Sequence, residues 1–420
     1  MKALVVGSGV AGPAVALFLR RIGWDVQVVE ATDAAQAAAG AFLNIATNGQ
    51  AVLAELGLRE AVMSQAHPCP RMVMWSGLGK RLGEVPNGPA GDPARGSAVV
   101  ARAWLHRVLR DAVSQAGIPL TSGVPIVQVN QTGDGLVAVA GDGQVFSGDV
   151  VVGADGVGSV LRRFIDPEAP SPAYTGMVGL GGFAHPAGLA PTPGVQHFVF
   201  GRRSFFGYLV REDRTALWFG NLTHPDPDRD ALRAVHAAAW LERLRQLHSD
   251  DLEPVPTILA AADDTVGAYP IHDLAQVPHW HRGRAVCIGD AVHATDPSAG
   301  QGASLALEDA QVLAQCLRDI SPIESALATF HRLRHRRAEA VVAYARTIGR
   351  RKQVSSSRLA MGLRDLMLPL FLRRAASDTT QNWLYDYQVD WATQITADMA
   401  PADIEELRRV GNSTTDEAQR

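Results

Sequence analysis

The sequence predicts an α/β protein: a parallel, doubly wound sheet with an attached β-meander, a second β-sheet region and a helical C-terminal segment. Three stretches carry that expectation. A β-prone apolar run at residues 3–6 leads into Gly7-Ser8-Gly9-Val10-Ala11-Gly12 and then into helical spacing. Residues 149–156 read DVVVGADG, an apolar run followed by an acid. Residues 284–310 read RAVCIGDAVHATDPSAGQGASLALEDA, which is again a strand, a glycine-rich loop and a helix start. Short apolar runs of this kind suit strands buried on both faces of a parallel sheet.

Composition sets the bounds. A chain of 420 residues is too long for one ordinary core, so two or three domains are expected. An apolar content of 47% with 20% charged residues is that of a globular protein. The formal net charge is only −4, and the densest basic patch, residues 331–337 (HRLRHRR), reads as a solvated helix face rather than a nucleic-acid site. Cys69, Cys287 and Cys316 form no CxxC, which argues against a disulfide framework, a metal site or a dithiol centre. The N-terminus mimics a secretory signal, but glycines at fixed spacing and the lack of a cleavage site argue against one. No run reaches the roughly 18 apolar residues of a membrane span. A cytoplasmic protein is expected.

In the N-terminal stretch, Val15, Leu19 and Ile22 share a helix face that Gly23 stops, and residues 26–29 form a second strand ending at Glu30. The glycines allow a tight turn, close backbone approach to a pyrophosphate and tight helix packing, and the acid suits ribose hydroxyls. This is a dinucleotide site. Residues 40–45 form a glycine-led loop before a helix at about 48–56, capped by Gly57. Residues 68–99 turn rich in Pro and Gly around short β pieces such as 72–75, where the chain leaves the first domain. It returns at 99–105 with Arg102, and Leu105, Leu109, Ala112 and Val113 mark a helix stopped by Gly117. Residues 126–129, 136–139 and 144–146 form a meander with Gly133-Asp134-Gly135 and Asp142-Gly143 at its turns. It runs into 149–156, with Asp155 at the strand's C-terminal end, where ligands gather on a doubly wound sheet.

Residues 168–275 read as a separate β-rich region, with aromatic strands at 196–200, 205–210 and 216–220 and a helix at about 229–248. Phe206, Tyr208 and Val210 share one strand face. Phe206, Tyr208 and Trp218 are either core or a pocket wall, and both readings stand at this point. In the downstream stretch Ala306, Ala310, Leu313 and Leu317 form a helical stripe. The loop before it, with Pro297 and Gly300-Gln301-Gly302, aims backbone N–H groups and a positive dipole end at something anionic. From about 322 the chain reads as helical almost to its end, with Trp383, Tyr385, Tyr387 and Trp391 packing it onto the body.

In order and spacing, GxGxxG with Glu30, Arg102 with Leu105 and Leu109, GADG at 153–156 and GDAVH…P…GQG at 289–302 resemble the single-component FAD-dependent aromatic hydroxylases. These are the p-hydroxybenzoate hydroxylase-like flavoprotein monooxygenases, which include tetracycline- and rifampicin-modifying enzymes. The resemblance spans about residues 1–345. It implies a discontinuous Rossmann-like FAD-binding domain (1–68, 100–167, 276–345), a substrate-binding β-sheet domain (69–99, 168–275) and a C-terminal helical region (346–420).

It also implies roles for individual residues. Gly7, Gly9, Ala11 and Gly12 would cradle the FAD pyrophosphate, Glu30 the adenosine ribose, and Arg102 the diphosphate. Asp155 lies in a motif associated with FAD and NAD(P)H pyrophosphates, and Asp290 would bond the ribityl or diphosphate portion. Pro297, Gly300, Gln301, Gly302 and Ala303 would surround the reactive end of the flavin, with Pro297, Gly300 and Gly302 closest to the chemistry. His293 would be a structural part of the motif rather than a base. The implied reaction uses NADPH or NADH and O₂ to hydroxylate an aromatic or polycyclic small molecule through a flavin C4a-hydroperoxide, in natural-product tailoring such as antibiotic biosynthesis or in degradation. No metal is implied.

With no second strand–GxGxxG–helix unit, NAD(P)H has no Rossmann domain of its own. The WxWxIP motif of flavin-dependent halogenases is missing. A geranylgeranyl-reductase-like activity, epoxidation or Baeyer–Villiger insertion on the same fold are the alternatives. One departure is Ala31, where the family often has arginine after the strand-two glutamate.

Overall fold

The computed structural model describes all residues except 34–41, 93, 134, 226–230, 233–234, 264–265, 353–357, 377–378 and 401–420. Gly40 and Ala41 of the glycine-led loop and Asp134 of the first meander turn therefore lie outside the described residues.

A six-stranded sheet forms the first layer, in the order His281–Arg282, Ala285–Cys287, Val150–Gly153, Lys2–Val6, Asp25–Val29, Leu120–Thr121. All neighbours run parallel except the first pair. Register aligns Val6 with Val29 on one side and Gly153 on the other, and Gly153 with Cys287. Glu30, Gly7, Ala154 and Ile288 consequently leave the sheet at one edge. Helix Ala11–Arg21 follows the first strand and helix Arg102–Gln115 follows strand Ala98–Ala101. Gly23, Gly57 and Gly117 end their helices in the left-handed region (φ +83°, +71° and +65°), as the sequence leads one to expect. The meander Ile126–Thr132, Gly135–Ala140, Val145–Gly148 is antiparallel.

A seven-stranded mixed sheet forms the second body, in the order Gly267–Asp273, Ala173–Ala184, Ala216–Thr223, Phe205–Val210, Val195–Phe200, Arg71–Ser76, Arg81–Pro86. The 12-residue strand Ala173–Ala184 was not expected from sequence. Its glycines hide it, because they lack β propensity. Gly182 has a spatial role: a Cβ there would lie 3.1 Å from the Trp218 ring on the adjacent strand. Of the helix expected at about 229–248, Ala237–Leu247 is formed, and residues 229–230 and 233–234 lie outside the described residues. With helix Val255–Ala260 it covers the outer face of this sheet, its Trp240 in one buried cluster with Phe206 and Trp218.

Helix Gly302–Asp319 lies in the main core, and the 30-residue helix Ile323–Lys352 runs from it to the seven-stranded sheet, where Arg346 pairs with Asp273. Helix Arg358–Ala376 and the 3-10 turn Thr379–Leu384 complete the helical part. The expected aromatic packing occurs. Trp383 and Tyr385 are buried, and Trp391 stacks on Phe18 at 4.9 Å between Arg21 and Arg318. From Tyr385 to residue 400 the chain is not helical. Its carbonyls at Val389, Asp390 and Trp391 accept hydrogen bonds from Gln311, Gln315 and Arg318, partners that replace a helical ladder.

The basic patch at 331–337 departs from expectation. Arg334 and Arg337 are buried, not solvated. Arg334 pairs with Glu308 at 2.7 Å and Asp309 at 2.8 Å, and Arg337 with Glu308 at 2.7 Å. Two adjacent acids on the preceding helix create this demand for cations, because buried carboxylates require paired charge.

Candidate active site

The edge where Gly7, Glu30, Ala154 and Ile288 emerge opens into a cavity of about 1020 Å³ that runs to the inner face of the seven-stranded sheet. The glycines at its mouth have distinct tasks. Gly7 has φ +107°, and a Cβ there would lie 2.2 Å from the Ala154 carbonyl oxygen. A Cβ at Gly12 would lie 1.9 Å from the Gly7 carbonyl oxygen. Both positions are closed by the protein's own backbone. Gly9 is the opposite, since a Cβ there would meet nothing within 4 Å, and the residue lines the cavity with Ala11. That open cradle is where a pyrophosphate backbone contact fits.

Glu30 ties the cradle to the second strand. Its carboxylate accepts from the Ser8 N–H at 2.6 Å, the Thr32 N–H at 2.8 Å and the Thr32 hydroxyl at 2.6 Å. Arg102 and Asp290 are exposed on the cavity wall. Asp155 does not line the cavity. It caps helix Val160–Ile165, accepting from Val160 N–H at 2.7 Å and Leu161 N–H at 3.2 Å, and its buried Oδ1 has no partner. Burial raises its pKa, and those hydrogen bonds oppose the rise.

At the opposite wall, Pro297, Gly300, Gly302 and Ala303 line the cavity. Gly300 adopts φ +62°, and Asn44 Nδ2 donates to its carbonyl at 3.2 Å. Helix Gly302–Asp319 begins there with no side chain capping it, so its first N–H groups and positive dipole end face the cavity. Gln301 is buried under the loop, where its Oε1 accepts from Asn48 at 3.0 Å. Gly289 packs between Ala11 and Ala306 and draws the starts of both helices to one place.

His293 lies below the site, away from the cavity. Its Nε2 is 2.5 Å from Asp309 Oδ2, and the same oxygen accepts from Gly289 N–H at 2.9 Å. Burial alone would raise the Asp309 pKa, but His293 and Arg334 outweigh it and hold the carboxyl at about 2. The ion network thus props the loop at 289–290 from beneath.

Phe206, Tyr208 and Trp218 are not brought to the cavity. They are buried on the outer face of the sheet, where Phe206 stacks on Trp218 at 5.8 Å. The core reading holds for them. The inner face presents Phe198, Phe200 and Phe219, with Gln196, Asn221 and Tyr269. Sequence reasoning also missed Tyr344, Ile348 and Lys352, whose four-residue spacing along one helix face was the available signal.

Residues 1–345 match the family described as an FAD binding domain. The chain belongs to that family. Among its relatives are aurachin C monooxygenase/isomerase of Stigmatella aurantiaca, 29% identical over 83% of this chain and 89% of the relative. FAD-dependent urate hydroxylase of Klebsiella pneumoniae is also 29% identical, over 82% of this chain and 89% of the relative. A Klebsiella pneumoniae HpxO variant complexed with FAD superposes with a TM-score of 0.78 at 25% identity, over 88% of this chain and 94% of that one. The member described here is an FAD-dependent monooxygenase, an oxidoreductase with NAD(P)H as the family's typical reductant. Its cradle at Gly9 and its uncapped helix at Gly302 fit FAD at either end.

Proposed function

We propose that this monooxygenase hydroxylates a planar, electron-rich aromatic or heteroaromatic small molecule held between residues 297–303 and the inner face of the seven-stranded sheet. The observation that carries the reading is the continuity of one cavity from Gly9, Arg102 and Asp290, through Pro297 and Gly302, to Phe198 and Phe219. Bound FAD supplies hydride acceptance from NADPH or NADH and activation of O₂. Gly9 and Ala11 meet its pyrophosphate in a turn that Gly7 and Gly12 close, with Arg102 as cationic partner. Glu30 serves the ribose and Asp290 the ribityl portion.

Gly302 and Ala303 supply backbone N–H groups, Gly300 N–H being held by the Pro297 carbonyl at 3.0 Å, and the helix dipole behind them favours negative charge on the reduced cofactor without reorganisation. Pro297 fixes the loop that separates cofactor from substrate. The segments at 69–99 and 168–275 act as the substrate-binding unit, with aromatic and methionine side chains excluding water. The Klebsiella relatives are named for urate, and Pseudomonas fluorescens 6-hydroxynicotinate 3-monooxygenase is 28% identical, which supports a heteroaromatic substrate. Among the described residues no helix is long and apolar enough to cross a membrane. The test is a panel of hydroxylated aromatics and heteroaromatics. A substrate should raise NAD(P)H oxidation without stoichiometric peroxide release, whereas peroxide matching NAD(P)H for every compound would contradict the proposal.

A further inference from the structure

We propose that Lys352 forms an anion subsite for the substrate, taking a phenolate, enolate or carboxylate oxygen of a planar ring. Lys352 is the last residue of helix Ile323–Lys352 and lies beyond the residues that match the family. It lines the cavity while only 8% exposed. Its ammonium lies 4.7 Å from the Phe205 ring centroid and 5.2 Å from that of Phe198. Among the described residues its ammonium has neither an ion pair nor a hydrogen bond. A lysine this buried is rarely left so, and aromatic faces attract a cation without neutralising it.

The charges around Lys352 leave it available. Arg364, also on the cavity wall, is engaged by Asp365 at 2.8 Å and by the Phe200 carbonyl at 3.2 Å. Asp296 is the acid nearest in influence, but its Oδ1 accepts from Ser298 N–H at 2.8 Å as it caps the loop turn. Burial lowers the Lys352 pKa to about 8 against the pull of Asp296, so the group is still mainly charged at neutral pH.

Position gives the charge its use. A Cβ at Gly349 would lie 2.5 Å from Asp296 Oδ2, so the helix touches the loop beside Pro297 there. Lys352 follows three residues later, about 4.5 Å along the axis at 1.5 Å per residue. An anionic oxygen held by it therefore lies against the aromatic wall and one helical turn from the loop assigned to the flavin. Ionised phenols and enols are also the more electron-rich ring forms, which suits the monooxygenase reading on which this use rests.

The test is binding, so it does not depend on turnover. Holoenzyme would be titrated with 7-hydroxycoumarin, whose phenol and phenolate forms have separate absorption bands, and with 7-methoxycoumarin, which cannot ionise. Wild type should bind the hydroxy probe at least tenfold tighter and show the phenolate band at a pH where the free probe is mostly phenol. Lys352→Arg should keep both effects. Lys352→Met, nearly equal in volume, should lose both while retaining FAD. Equal affinity for the two probes in wild type, no binding of either, or an unchanged preference in Lys352→Met would overturn the proposal. The wild-type comparison stands even if a variant folds poorly. Failure of the function reading would show instead as lost FAD or absent oxygen insertion.

Discussion

Gly9→Val separates the cofactor cradle from the scaffold that builds it. A Cβ at Gly9 meets nothing within 4 Å, whereas at Gly7 and Gly12 it meets backbone oxygens at 2.2 Å and 1.9 Å. Valine at position 9 should therefore leave stability within about 0.5 kcal/mol of wild type, as for an unpacked surface site. Its methyl groups would occupy the space needed by a pyrophosphate. We expect FAD affinity to fall at least about a hundredfold, roughly 2.8 kcal/mol at 1.4 kcal/mol per tenfold. Gly7→Ala and Gly12→Ala should instead lower stability by about 1–3 kcal/mol through overpacking, with FAD lost as a consequence. The assays are urea unfolding of the apoprotein and flavin fluorescence quenching on titration with FAD. A Gly9→Val protein that keeps wild-type FAD affinity, or one that unfolds like Gly12→Ala, would refute the assignment of the open space to the cofactor.

Three further outcomes follow from the geometry. Asp309→Ala leaves Arg334 and His293 without their shared carboxylate and should cost about 3–5 kcal/mol in urea unfolding, as for a broken buried ion pair. The Asp309 pKa of about 2 lies below the unfolded value of about 3.9, so its contribution is complete above about pH 5 and is lost as pH falls through about 2; the alanine variant should lack that acid-side slope. Trp218→Phe should lower the unfolding midpoint and leave KM unchanged, while Phe219→Leu on the inner face should change KM and the fraction of NAD(P)H coupled to product. Burial raises the pKa of all three cysteines, to about 12 for Cys69 and Cys316, so a thiol reagent at pH 8 should label the protein only after denaturation.

The cofactor half of the site was legible because its signals are local. A strand, a glycine turn with fixed spacing and a helix start each impose chemistry on neighbouring residues, as at residues 3–12 and 285–303. The substrate half was not, because parity on a doubly covered sheet leaves no mark in the sequence. Phe205–Val210 is buried at every position, so nothing local tells whether Phe205 or Phe206 faces the ligand. That is decided by where the first domain docks. Arg334 and Arg337 read as solvated because charge at helical spacing normally is. Their buried partners, Glu308 and Asp309, sit on another helix and are visible only once the two are packed. Lys352 escaped notice for a similar reason, since a helix end gains meaning only when the chain returns to the cavity.

The central claim, oxygen insertion in the cavity between Pro297 and Phe219, is tested most directly by isotope labelling. Purified holoenzyme, NAD(P)H and a substrate that stimulates NAD(P)H oxidation would be incubated under ¹⁸O₂ and the product weighed by mass spectrometry. The account predicts one ¹⁸O atom per product molecule and no turnover without oxygen. Product formed anaerobically, or product carrying oxygen from water alone, would contradict it.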